Sequence, residues 1–176
     1  MNGFLKTVRA AGLPYTLALR GGAQLSTDEV AEVAQLVHAG GAVNGTIQQI
    51  ESRVRDAHVF IIATQGDEIV GVAAVKSPQK GYRDTLWQKT GVDLSEGIYP
   101  AELGYVSVSN ACRGGRLSSI LMRELMSLPA GSEGVFVTTK RDGFYKEALP
   151  ELGFIYQGSY QNDDEERVHL LTKTAS

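Results

Sequence analysis

With 176 residues, 43% of them hydrophobic and 21% charged, the chain is long enough to bury the core of one domain without disulfides or metals. Its net charge of −3, from 17 basic and 20 acidic residues, argues against bulk nucleic-acid binding, and it has no apolar run of the roughly 18 residues that a membrane-spanning helix needs. The single cysteine, Cys112, excludes an internal disulfide and a multi-cysteine zinc site and fits a reducing, cytoplasmic setting.

The opening stretch, MNGFLKTVRAAGLPYTLAL, has a faint likeness to a secretory leader, but Arg9 and Pro14 interrupt its apolar residues and that reading is set aside. Tyr15 to Arg20 alternates apolar and polar residues and predicts a strand. Ser26 and Glu29 form a capping-box pattern ahead of a helix. Val30, Val33, Ala34 and Val37 line one face of that helix, and Gly40 and Gly41 stop it. A second helix is expected over about 46–55. HVFIIAT and EIVGVAAVK, separated by Gln65, Gly66 and Asp67, carry a hairpin signal.

The segment from Lys76 to Tyr99 is a long connection holding Tyr82, the only tryptophan, Trp87, and a short helical pattern. Two readings are open for it: a lid over a site, or an insertion packed on the surface with Trp87 as its anchor. ELGYVSVS predicts the next strand. A helix follows Arg113, with Leu117, Ile120, Leu121, Leu125 and Leu128 on one stripe. GVFVTT predicts a buried strand, and DGFYKEAL a short helix closed by Pro150 and Gly153. FIYQGSY and RVHLLTK predict two last strands around the acidic turn QNDDEE. The expected order is strand, two helices, three strands, helix, strand, helix, two strands, a mixed α/β domain whose sheet is covered by helices.

The stretch SNACRGGRLSS, between a strand and a helix, carries the most chemistry. The first amides of a helix lack internal partners, the helix dipole adds partial positive charge there, and glycines allow close approach. Arg113 and Arg116 add full charges, so a pyrophosphate is a natural guest. The Walker and dinucleotide glycine patterns are both absent.

Here the residues resemble the GNAT superfamily of N-acetyltransferases, whose motif is Arg/Gln-x-x-Gly-x-Gly/Ala between a strand and a helix. VSVSNACRGGRLSS sits in that register, with Arg113 at the first position, Ser118 at the last as a small residue, and Gly114 at a frequent extra glycine. DGFYKEALPELGF resembles the family's second motif, and the element order extends the likeness over about 15–173. The resemblance implies one acetyltransferase-like domain over 1–176, with an inserted connection at about 77–99. It implies a mostly antiparallel mixed sheet flanked by helices on both faces, and acetyl-CoA as co-substrate. The backbone at Val106, Ser107 and Val108 would hold the pantetheine and acetyl part. Arg113, Gly114, Gly115, Arg116, Leu117 and Ser118 would face the pyrophosphate. Two positions depart from the pattern. Arg116 stands where the family has glycine, either salt-bridging a phosphate or weakening binding. Leu149 stands where many members carry a tyrosine acid, with Tyr145 one turn earlier and Asp142 where an asparagine often contacts the cofactor.

Acetyl transfer to an amine needs a base for the ammonium and a donor for the leaving thiolate. Glu102, eleven positions before Arg113, resembles the register of the glutamate base of histone-type members; otherwise it is a solvent-facing strand end. Tyr145 is the candidate acid, or else core packing beside Phe144. Ser107 and Ser109 can relay protons or are ordinary strand positions. His38, His58 and His169 show no ligand spacing, so no metal is expected, and Cys112 reads as structural. The expected function is acetyl-CoA-dependent N-acetyl transfer to a small-molecule or peptide primary amine by direct attack in a ternary complex. The alternative is a degenerate acyl-CoA-binding sensor or interaction module without turnover, motivated by Arg116 and Leu149. A third reading is an unrelated anion-binding protein. The acceptor amine and a homodimer are left open.

Overall fold

The computed structural model describes residues 5–41 and 43–175, so Met1 to Phe4 of the leader-like stretch lie outside the described residues. Strands β1 (Leu5–Ala10) and β2 (Leu13–Arg20) pair antiparallel across a two-residue turn, Ala11 and Gly12, at φ 49° and 81°. Two consecutive left-handed residues match the twist of a hairpin, and glycine adopts that conformation without steric cost. Arg9 and Pro14 face one another across this turn. The residues that break the apolar run in the sequence are therefore a cross-strand pair, and β1 escaped the sequence reading for that reason.

Helix α1 (Thr27–Ala39) opens with the expected box: Glu29 N donates to Ser26 Oγ (3.2 Å) and Ser26 N to Glu29 Oε2 (2.8 Å). Helix α2 (Ile47–Arg55) repeats it with Thr46 and Gln49. Strands β3 (Val59–Gln65) and β4 (Glu68–Lys76) form the expected hairpin around Gly66, at φ 62°. Alternation along these strands separates two packed faces. Phe60, Ile62, Val72 and Ala74 meet Val30, Val33, Ala34 and Val37 of α1 and Ile50 and Val54 of α2. On the other face Gly71 admits helix α4 (Leu117–Met126). A Cβ at Gly71 would lie 3.1 Å from Leu121 Cδ1 and 3.3 Å from Leu117 Cδ2, tighter than ordinary contact.

Strands β5 (Ala101–Val108), β6 (Val135–Thr139), β7 (Ile155–Gln161) and β8 (Arg167–Lys173) complete an eight-stranded sheet of order β1-β2-β3-β4-β5-β6-β8-β7. The β5–β6 ladder is parallel, pairing Ala101 with Val135 and Glu102 with Phe136, while β1–β2–β3–β4 and β6–β8–β7 pair antiparallel. The chain packs as two compact units: one reaches to Lys76 and includes Tyr105–Leu125, the other comprises Ser77–Gly104 and Met126 onward.

In the second unit the long connection is not structureless. Helix α3 (Lys80–Thr90) ends on left-handed Gly91, and Leu86 and Leu94 are buried against Phe136 and Leu170. Trp87 is 58% exposed, so it is not the anchor. That part belongs to Arg83, 8% exposed, whose guanidinium lies over the Phe136 ring. Its Nη1 donates to Leu94 O and Tyr99 O (2.6 Å each), Nη2 to Pro100 O (2.8 Å) and Nε to Pro78 O (3.2 Å). Four carbonyls of one connection are thus satisfied by one side chain. Burial pulls the guanidinium below its ordinary pKa, opposed by the charges of Glu96 and Glu102.

Three sequence expectations change in detail. Leu128 lies beyond α4, because Pro129 begins a short helical turn, Pro129–Ser132, and forces Leu128 to an extended ψ of 162°. Met122 is buried in the stripe, whereas Ile120 is half-buried. The helix over DGFYKEAL is a π-helical turn at Phe144–Ala148, with Leu149 N bonded to Phe144 O (2.9 Å), followed by a 3₁₀ turn at Pro150–Leu152. The acidic turn closes on itself: Asn162 Oδ1 accepts from Asp164 N and Glu166 N, and Glu166 pairs with Lys140.

Arg83→Met is expected to destabilise the chain by about 3 kcal/mol or more, because buried carbonyls lose their donors. Arg83→Lys is expected to recover only part of this, since an ammonium lacks the planar fork. Urea denaturation midpoints of the three proteins check both.

Candidate functional site

The first unit holds the stretch between β5 and α4. β5 carries one break in its extended course, Tyr105 at φ 52°. A bulky residue there is strained. Its ring is buried, stacked on Phe60 (centroids 6.0 Å apart, 11° between planes), with Lys76 Nζ 4.8 Å above it. After the break, Val106 and Val108 are half-buried and Ser107 is buried. The Ser107 hydroxyl is wedged against the end of α1, where a Cβ at Gly40 would come within 2.6 Å of its oxygen. Ser109 Oγ is buried and has no hydrogen-bond partner among the described residues.

A single 3₁₀ turn, Asn110–Cys112, leads to Arg113, whose N–H donates to Asn110 O (3.3 Å). Gly114 lies at φ 84°, with open space where a side chain would stand. Gly115 is pressed against the β1–β2 turn, where a Cβ would lie 3.0 Å from Ala11 Cβ. Arg116 lies at φ 61°, and its carbonyl accepts from Ile120 N (3.0 Å), starting α4. This is the position at which the resembled motif has glycine. The backbone supplies the reason, since the turn needs a left-handed residue that glycine adopts without cost and arginine at roughly 1–2 kcal/mol. Arg113 and Arg116 are both exposed, and neither has an ion pair among the described residues. Leu117 is buried and Ser118 half-buried, and their amides lie in the first turn, where helices lack internal acceptors.

Open space at Gly114, two uncommitted guanidiniums, free helix-start amides and the orphaned Ser109 hydroxyl form a donor set for a phosphorylated ligand. The acyl-CoA expectation fits these residues. Cys112 is buried and within 3.9 Å of Gln65 Oε1, and its hydrogen bond raises the Tyr15 hydroxyl above its ordinary pKa. Among the described residues no group of three or more His, Cys, Asp or Glu is placed to hold a metal ion. No helix there is long and apolar enough to cross a membrane.

The second unit holds the proton-handling candidates. Glu102 is 4% exposed, not a solvent-facing strand end. Tyr82 Oη, from α3, lies 3.3 Å from Glu102 Oε1 and 3.2 Å from Thr138 Oγ1 on β6. Tyr82 is 36% exposed as a residue, but its hydroxyl is drawn away from water, and that desolvation, then the Glu102 charge, hold the hydroxyl well above its ordinary pKa. Burial, with Glu102 and Asp163, pushes Tyr160 up to about 12. Tyr145, in the π-helical turn, stacks on His169 with centroids 3.7 Å apart and 20° between planes. Tyr156 Oη lies 3.4 Å from His169 Nδ1. His169 is 5% exposed, and burial lowers its pKa despite the opposing charge of Asp142. Asp142 is exposed and bonded to Lys146 (2.7 Å), which lowers the carboxyl and raises the ammonium. Leu149 is fully buried in the core.

The sequence reading missed the partners of both candidates. Tyr82, Arg83 and Thr138 are far from Glu102 along the chain, and only the helical pattern over the connection signalled that Tyr82 and Arg83 would be held in place. His169 looked bland because its neighbours Tyr145 and Tyr156 reach it through strand pairing and the π-helical turn.

No family model matches the chain, and no curated protein matches it. Solved structures do. The chain is similar to Escherichia coli ElaA at 19% identity, covering 89% of this chain and 97% of that one, with a TM-score of 0.64. It is similar to a GNAT-family acetyltransferase from Streptococcus agalactiae at 14% identity, with coverage of 96% and 98% and a TM-score of 0.62. It is also similar to the ribosomal-protein-S18-alanine N-acetyltransferase of Escherichia coli at 12% identity, with coverage of 91% and 94% and a TM-score of 0.62. By this structural likeness the chain has the fold of the GNAT-family acetyltransferases.

Proposed function

We propose that this chain is an acetyl-CoA-dependent N-acetyltransferase, working as one acetyltransferase-like domain with an insertion at 77–99. It acts on a small-molecule or peptide primary amine by direct attack in a ternary complex, in a reducing, cytoplasmic compartment where Cys112 stays a thiol. The observation that carries the reading is Arg116 at φ 61°. The left-handed Arg116 starts α4 beside the open space at Gly114, so the loop presents helix-start amides and a guanidinium at the motif's position even though arginine stands in place of glycine. An N-acetyltransferase of ribosomal-protein-S18 alanine among the structurally similar proteins supports an amine as the acceptor class.

The amides of Gly114, Gly115, Leu117 and Ser118 receive the pyrophosphate, with Arg113 and Arg116 supplying charge. The backbone of Val106, Ser107 and Val108, which follows the kink at Tyr105, holds the pantetheine arm. Asp142, paired with Lys146, stands at the register of the family's cofactor-contacting asparagine. Bound in this way, acetyl-CoA supplies an activated thioester. Glu102 takes a proton from the acceptor nitrogen, directly or through a water. Tyr145 Oη is the proton donor on the sulfur side, its ring held by His169.

Positioned acid–base groups contribute about 10²–10⁴-fold in rate. Glu102→Gln is expected to lower turnover by roughly that factor, leave CoA affinity unchanged and abolish the acidic limb of the pH–rate profile; steady-state kinetics with calorimetric CoA binding check this. Tyr145→Phe is expected to cost less, because water can protonate a thiolate. Full turnover in Glu102→Gln would move the base elsewhere.

Arg116→Gly is expected to separate charge from strain. Thermal unfolding should show a gain of about 0.5–1 kcal/mol from relief of the left-handed arginine, net of the flexibility glycine adds to the unfolded chain. CoA binding should weaken, and its affinity should fall less steeply with salt than in the parent.

A further inference from the structure

We propose that Tyr82 is a positioning residue for Glu102: its hydroxyl donates to Glu102 Oε1 and aims the carboxylate, and so makes the 77–99 connection part of the machinery of the base. This rests on Glu102 being the base.

The polarity of the contacts follows from the groups. An ionised carboxylate only accepts, so the Tyr82 proton lies on the 3.3 Å contact to Glu102. The 3.2 Å contact to Thr138 must then run the other way, with the Thr138 hydroxyl donating to the Tyr82 oxygen. The result is a directed chain, Thr138 to Tyr82 to Glu102, linking β6, α3 and β5. Tyr82 stays a phenol throughout the working range, because desolvation of its hydroxyl and the Glu102 charge both oppose its ionisation. Glu102 also acts electrostatically on Arg83 of α3 and Tyr160 of β7. Glu96 acts on Arg83, and Asp163 on Tyr160. Arg83 contributes charge from a place fixed by four carbonyls, whereas Tyr82 brings its hydroxyl to the carboxylate itself.

The placement is built. Arg83 locks the helix register, so its neighbour Tyr82 cannot slide along the strand ends. The Tyr82 ring rests near Phe136, with centroids 6.4 Å apart. A residue serving only as packing would need the ring and not the hydroxyl. Tyr82→Phe keeps the first and removes the second.

The experiment uses the full chain, its Tyr82→Phe and Thr138→Val variants, and Glu102→Gln to assign the Glu102 carboxyl signal. Carbon-13 NMR follows the titration of that carboxyl without ligand. The pH dependence of kcat/KM is measured with acetyl-CoA and two probe amines, putrescine and a lysyl peptide. In Tyr82→Phe the Glu102 titration midpoint should rise, because the charged form loses a donor and the protonated form is favoured. The acidic limb of the rate profile should move the same way, and kcat/KM on the high-pH plateau should fall because the carboxylate is no longer aimed. Thr138→Val should shift both in the same direction by less. An unmoved Glu102 midpoint in Tyr82→Phe overturns the proposal, as does a moved midpoint with an unmoved rate limb. A parent chain that transfers no acetyl group overturns the function reading instead, and the ligand-free titration still decides whether Tyr82 controls the carboxylate.

Discussion

A strained tyrosine in the middle of a strand is the constraint on which the arrangement depends. Tyr105 holds φ 52° inside β5, which costs about 1–3 kcal/mol. Its ring is buried, stacked on Phe60 and covered by Lys76. Burial of an aromatic side chain contributes roughly 1.5–3 kcal/mol, and ring stacking about 0.5–1.5 kcal/mol more. The anchor therefore outweighs the strain, and β5 carries a local kink at Tyr105 within its course to Val108.

The same trade recurs at the start of α4. Arg116 takes a conformation that disfavours it, while Gly115 leans on Ala11 of the β1–β2 turn and Gly71 lets Leu117 and Leu121 settle on β4. The hairpin turn, the helix start and the strand beneath it fix one another. In the second unit a buried guanidinium has the corresponding part. Arg83 gathers four carbonyls and stands near Glu102, so a connection that would otherwise be a mobile loop presents Tyr82 to a buried carboxylate.

The sequence made the strand–glycine–helix passage legible because its signals are local. A glycine pair, a following apolar stripe and two arginines lie within a few residues of one another. Glu102 was legible by register, but its environment was not. The groups it acts on, Tyr82 on α3 and Tyr160 on β7, come from other elements of the chain. Trp87 misled because a lone large aromatic suggests an anchor; on α3 the inward positions are Arg83 and Leu86, and Trp87 falls beside them on the outer face. The first strand was illegible for a related reason. Arg9 and Pro14 break an apolar run, and only pairing across the turn makes them neighbours.

By itself, then, the sequence determined the elements whose cause is short-range: the capping box of α1, the β3–β4 hairpin, the stripe of α4 and the charged turn before it. Capping, turn geometry and amphipathic spacing act within about one or two helical turns, and the residues that cause them are written side by side. Tertiary structure alone decided the left-handed states of Tyr105 and Arg116, the π-helical turn that sets Tyr145 on His169, and the meeting of Tyr82, Thr138 and Glu102. Each of these is imposed by packing or hydrogen bonding between segments that the chain separates. No local propensity favours them, and they exist because the surrounding core makes every alternative worse.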